Sequence, residues 1–125
     1  MSTILQTLER LERSRFRAGF SLTKKERAYL EEKGADTIRQ HAEDFVHMRL
    51  APAARPNDGK QTPMHGHPAF KAMHATACCC RGCLNKWYHV PPDRDLTAEE
   101  ERRIVNLLMA WIEKKSEGGK TPGVS

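Results

Sequence analysis

Between His65 and Cys83, nineteen residues hold all four cysteines of the chain and three of its six histidines. Thiol and imidazole are the side chains that hold soft and borderline metals. Three of the thiols are consecutive, Cys78, Cys79 and Cys80, and neighbouring cysteines rarely reach good disulfide geometry with each other. The cluster therefore points to metal or thiol chemistry in a reducing compartment rather than to a disulfide framework.

Spacing sorts the candidates. On a helix turning about 100° per residue, Cys79 and Cys80 each lie one turn from Cys83, while Cys78 points nearly opposite. Cys80 and Cys83 form a Cys-x-x-Cys pair, and a helix start there lowers thiolate pKa, with Arg81 expected to assist. The expected ligands are Cys80 and Cys83, then Cys79, with His67 and His74 completing a tetrahedral zinc site. His74 lies far round the cylinder from Cys83, so using both needs a break in the helix. His65 and His89 are the other imidazoles within reach of the cluster. An iron–sulfur cluster is the alternative cofactor, ranked lower because Cys78 diverges from Cys83. Leu84 follows Cys83, which excludes the Cys-x-x-Cys-His of covalent haem, and thiol redox catalysis would want a βαβ unit beside the pair. A Cys79 or Cys80 nucleophile with His74 or His67 as base, oriented by Asp58, is the enzymatic alternative. Cysteine also packs as a small hydrophobe, so a metal-free interaction protein is a third reading.

The elements that must position these residues read as helices throughout, giving an all-α bundle of about four to five helices. Ile4, Leu5, Leu8 and Leu11 fall at helical spacing, and Phe16 and Phe20 flank a basic connector containing Gly19. Thr23 and Glu26 make a capping box for a short helix that Gly34 stops. Ile38, Ala42, Phe45, Val46 and Leu50 line the next helix, with His41 at the edge of its stripe and His47 facing away. Residues 51–68 carry four prolines and two glycines, a long loop that precedes the Cys-rich helix. Within it Asn57-Asp58-Gly59 predicts a tight turn presenting Lys60. Pro68 suits a first helical turn, and most of 69–89 reads as one helix. Thr97 and Glu100 repeat the capping box before the strongly amphipathic helix of Ile104, Val105, Leu107, Leu108, Trp111 and Ile112. One domain over 1–115 and a disordered tail over 116–125 are expected.

No apolar run is long enough to span a bilayer, and the first residues lack the pattern of a secretion signal. These readings make the chain cytoplasmic. Its net charge of +5 matches the excess between Arg10 and Arg27, where seven basic residues face two acidic ones. Arg13, Arg15, Arg17, Lys24 and Lys25, with Lys60 from the loop, are the candidates for contact with nucleic acid or another anionic partner. A solvated helix face is the plain alternative.

Several motifs together resemble a known family: Arg15-Phe16-Arg17, Arg39-Gln40-His41-Ala42-Glu43-Asp44-Phe45, Arg49-Leu50-Ala51-Pro52, Asn57 to Met64, Gly66-His67-Pro68, His74-Ala75-Thr76, Cys79-Cys80-Arg81-Gly82-Cys83-Leu84 and Lys86-Trp87. They are similar to the bacterial and phage proteins of the domain of unknown function 4186 family, from about Ser14 to Ile112. The resemblance implies no activity, but His67, His74, Cys79, Cys80 and Cys83 coincide with the family pattern. Where the family typically has Thr, this chain has Cys78, which implies an incidental thiol. Tyr88 stands where the family has His, so no ligand is expected there. The resulting reading is a small metal-binding module, zinc preferred, with a basic segment. The competing enzyme would place its pocket between loop 57–67 and helix 69–89.

Overall fold

Threonines begin three of the helices. In the computed structural model, which describes residues 3–53 and 62–120 (side chains as far as 116), Thr3 caps α1, Ile4–Glu12, and Thr23 caps α3, Lys24–Lys33. Both caps are reciprocal boxes, Thr3 with Gln6 and Thr23 with Glu26. Thr97 and Glu100 exchange the same pair of bonds, at 2.9 and 3.1 Å, ahead of α7, Ala98–Lys120. Each box satisfies amide groups that a helix start leaves without partners. Between α1 and α3 lies the one-turn α2, Arg15–Ala18, capped by Ser14.

Gly34, at φ 83°, alone separates α3 from α4, Ala35–Phe45. That backbone conformation strains any residue with a Cβ, so glycine sets the tight corner. Ile38, Ala42, Val46 and Leu50 are all fully buried and four residues apart. Steps of four overshoot a 3.6-residue turn, so such a stripe drifts round a regular helix. The π-helical turn Val46–Leu50, closed by Ala51 N donating to Val46 O at 2.8 Å, takes up the excess and returns Leu50 to the core.

The fold is organised around α5, Pro68–Ala75, which packs against α2, α3, α4 and α7. All its residues but Phe70 are buried, among them Lys71. Lys71 is matched by buried Glu26 at 3.4 Å, and Glu26 also accepts from Gly66 N. A buried charge without such a partner would be prohibitively costly. The amphipathic face of α7 closes the core with all six predicted apolar residues, and Arg39 of α4 donates to Asn106 on its flank.

The all-α class is as expected, with seven α-helices and no strand among the described residues. The continuous helix over 69–89 does not form. It divides into α5 and α6, Arg81–Tyr88, and this accounts for part of the higher helix count. At the break Ala77 turns left-handed, φ 61°, and Thr76 Oγ1 bonds back to Ala72 O at 2.7 Å. The carbonyls released there find new donors: Tyr88 Oη donates to Thr76 O, and Thr62 Oγ1 donates to Cys79 O at 2.8 Å. Tertiary partners thus replace the lost helical bonds. The last helix continues to Lys120, beyond the expected start of the tail, and residues 121–125 lie outside the described set.

Candidate metal centre

Breaking the helix is what builds the site. Cys79 lies in the connecting segment, Cys80 is the N-cap of α6, and Cys83 sits in its first turn. Cys80 Sγ accepts from Cys83 N at 3.4 Å, so the sulfur caps the helix and feels its positive end. The Sγ atoms of Cys79, Cys80 and Cys83 all lie within 4.8 Å of one another, with Cys79 and Cys83 at 3.6 Å. Sulfurs about 2.3 Å from one tetrahedral metal sit about 3.8 Å apart, so the group is close to what a single ion needs. Among the described residues no fourth His, Cys, Asp or Glu joins it.

The cation serving this group is Arg17 of α2. Its Nη2 donates to Cys83 Sγ at 3.3 Å, its Nη1 approaches Cys79 Sγ at 3.8 Å, and Nη1 also donates to His74 O at 2.6 Å. A hydrogen bond from the Cys79 thiol, helped by Arg17 and Cys80, holds Cys83 down at about 5, against burial. Cys79 is pushed upward, by that same bond to Cys83 and by burial. The expected helper, Arg81, does something else. Fully buried, it donates to the carbonyls of Ala51, Pro52, Pro91 and Arg94 at 2.6–3.2 Å, stapling α6 to the end of the π turn and to the loop before α7.

Cys78 is fully buried and outside the group, and desolvation pushes its thiol up to about 12. The two expected imidazoles also stand apart from the thiols. His67 is the N-cap of α5: its Nδ1 accepts from Ala69 N at 2.9 Å, which leaves the proton on Nε2, 3.0 Å from His41 Nδ1. Burial, then the neighbouring His41, lower His67 to about 4. Tyr29, Phe45 and Phe70 surround its ring. His74 Nε2 donates to the carbonyls of Thr62 and Pro63 at 3.1 Å, pinning the end of the loop. Both histidines therefore hold the scaffold of the thiol site. His65 is exposed, and His89 is the left-handed C-cap of α6.

Beside Cys83 a groove of about 520 Å³ opens, lined by Arg10, Arg13, Ser14, Phe16, Arg17, Lys86 and Trp87. The groove shares Arg17 with the thiols. Of the basic residues singled out in the sequence, Arg13 and Arg17 meet here, while Arg15, Lys24 and Lys25 are exposed and line no part of it. Lys60 and Asp58 lie outside the described residues, as does the Asn57–Gly59 turn, so the expected loop-side pocket has no described wall there. Sequence reasoning missed the role of Arg17 toward the thiols and the part of Arg10, Lys86 and Trp87. The Arg15-Phe16-Arg17 motif was a signal, but its direction was not readable.

The structure thus defines a small all-α domain carrying a three-thiol group compatible with a metal ion. The chain belongs to the family described as domain of unknown function (DUF4186), whose model matches residues 5–113. No solved structure matches the chain. No helix among the described residues is long and apolar enough to cross a membrane.

Proposed function

We propose that this protein is a metal-binding module in which the thiolates of Cys79, Cys80 and Cys83 hold a zinc ion. The observation that carries the reading is the convergence of three sulfurs within 4.8 Å under a guanidinium that donates to two of them. Three negative ligands on one ion leave excess charge, and Arg17 offsets it as an outer partner would. Zinc is preferred to an iron–sulfur cluster because the fourth thiol, Cys78, is outside the group. A cytoplasmic setting follows, since thiols this close persist in a reducing compartment. Elemental analysis of freshly purified protein is the test, with about one zinc per chain expected. Cys80→Ser and Cys83→Ser should lose it. Zinc-free protein of undiminished thermal stability, or full zinc in both variants, would sink the proposal.

A second reading concerns the basic segment, as a contact for an anionic partner. It is favoured by the groove, where Arg10, Arg13, Arg17 and Lys86 face one space and no carboxylate pairs with any of them among the described residues. A field of one sign attracts the opposite charge.

A further inference from the structure

We infer that the groove between α1, α2 and α6 binds single-stranded nucleic acid. The inference rests on the anionic-partner reading and narrows it from any anion to a strand with unstacked bases. Charge alone would not do this. The rings do.

Phe16 is 60% exposed, a large apolar side chain kept in water at the mouth of the groove. It is not loose: the Phe20 ring meets it edge-on at 5.2 Å, and Phe20 in turn stacks on His74 at 5.8 Å. A lone exposed ring is ordinary on a protein surface; what sets Phe16 apart is its brace against Phe20 and the Arg17 guanidinium beside it. Across the groove, half-buried Trp87 lies 4.9 Å from the Arg10 guanidinium, which also donates to the Trp87 carbonyl at 3.0 Å. The Arg17 guanidinium lies 4.9 Å from Phe16 and 6.0 Å from Trp87. Cation and ring therefore alternate along one concave surface. That is the arrangement a strand requires, its phosphates meeting guanidinium and ammonium groups while base faces stack on the rings. A duplex keeps its base faces inside and could use only the charges. Inorganic phosphate would ignore the rings.

The test is fluorescence anisotropy of full-length protein with labelled oligothymidylate, a duplex of equal length, and inorganic phosphate as competitor. Expected is strand binding that phosphate displaces poorly, with a log–log salt slope of about −2 to −3 for three or four neutralised phosphates. Phe16→Ala should weaken it about 5- to 150-fold, the worth of one stacked base. Arg13→Gln should flatten the slope by about 0.7. Both side chains are exposed, so circular dichroism of the variants should match the parent protein. Equal affinity for duplex, or no effect of Phe16→Ala, would overturn the strand proposal and leave a general anion contact standing. No binding to either nucleic acid would overturn the strand proposal and remove nucleic acid as the anionic partner. Zinc content measured on the same preparations reports separately on the thiol centre.

Discussion

Arg17 Nη2 donates to Cys83 Sγ at 3.3 Å across 66 residues of sequence. The bond joins the one-turn α2 to the first turn of α6, and the same guanidinium reaches back to the carbonyl of His74 at the end of α5. One side chain thus fixes three elements around the thiols and supplies the charge that favours thiolate.

On the proposed zinc reading, replacing Arg17 should therefore alter metal affinity while leaving the three thiols in place. Arg17→Lys keeps the charge but loses the fork that spans two sulfurs and a carbonyl. Zinc affinity, read by competition with a chromophoric chelator, is expected to fall about 10- to 100-fold. Arg15→Lys, on an exposed neighbour, should leave it unchanged.

Cys78→Ala separates packing from ligation. The thiol is fully buried and apart from the other three sulfurs. Zinc content should stay at the parent value while urea denaturation shows a loss of about 1 kcal/mol, the scale of one small buried group. Loss of the metal would mean that Cys78 is a ligand.

Arg81 makes a structural prediction. Its guanidinium serves the backbone carbonyls of Leu50, Ala51, Pro52, Pro91 and Arg94 from a fully buried position. Arg81→Met would leave buried acceptors without donors at a cost of about 1–3 kcal/mol each, so a loss of about 3 kcal/mol or more is expected in chemical denaturation. A loss under about 1 kcal/mol would show that water replaces the side chain readily.

His67 gives a pH dependence. Its folded value near 4 lies below the ordinary 6.5, so the unfolded chain binds this proton more tightly. Stability from this group is full above pH 6.5, declines as pH falls from 6.5 toward 4, and levels off below. Nearby Glu26 opposes the shift, and His41 reinforces it. Stability curves measured across that window should be flatter for His67→Asn, which can still cap α5. Parallel curves for the two proteins would refute the assignment.

His89 holds a left-handed C-cap at φ 62° with its side chain exposed. Glycine takes that conformation without strain. His89→Gly should raise stability by up to about 1 kcal/mol. Its zinc content should not change, as His89 stands outside the thiol group.

Local chemistry was legible in the sequence. Thr23 with Glu26 and Thr97 with Glu100 cap helices because a short polar side chain and a carboxylate three residues on can satisfy each other's amides whatever lies around them. The stripes of α4 and α7 were readable because a solvated helix must bury one face. The sequence also singled out Cys80 and Cys83, then Cys79, the three thiols that the fold gathers, and the family. Tertiary structure decided the rest. A continuous helix over 69–89 was locally allowed, and it breaks because Tyr88 and Thr62 capture the freed carbonyls from elsewhere in the fold. His67 and His74 had the right chemistry for ligands, but neither joins the thiol group, and the fold gives both nitrogens of His67 and Nε2 of His74 other partners, His41, Ala69, Thr62 and Pro63. Arg17 and Arg81 are the same kind of residue. One faces sulfur and the other backbone oxygen only because packing turns α2 and α6 that way, and no spacing along the chain encodes such a rotation.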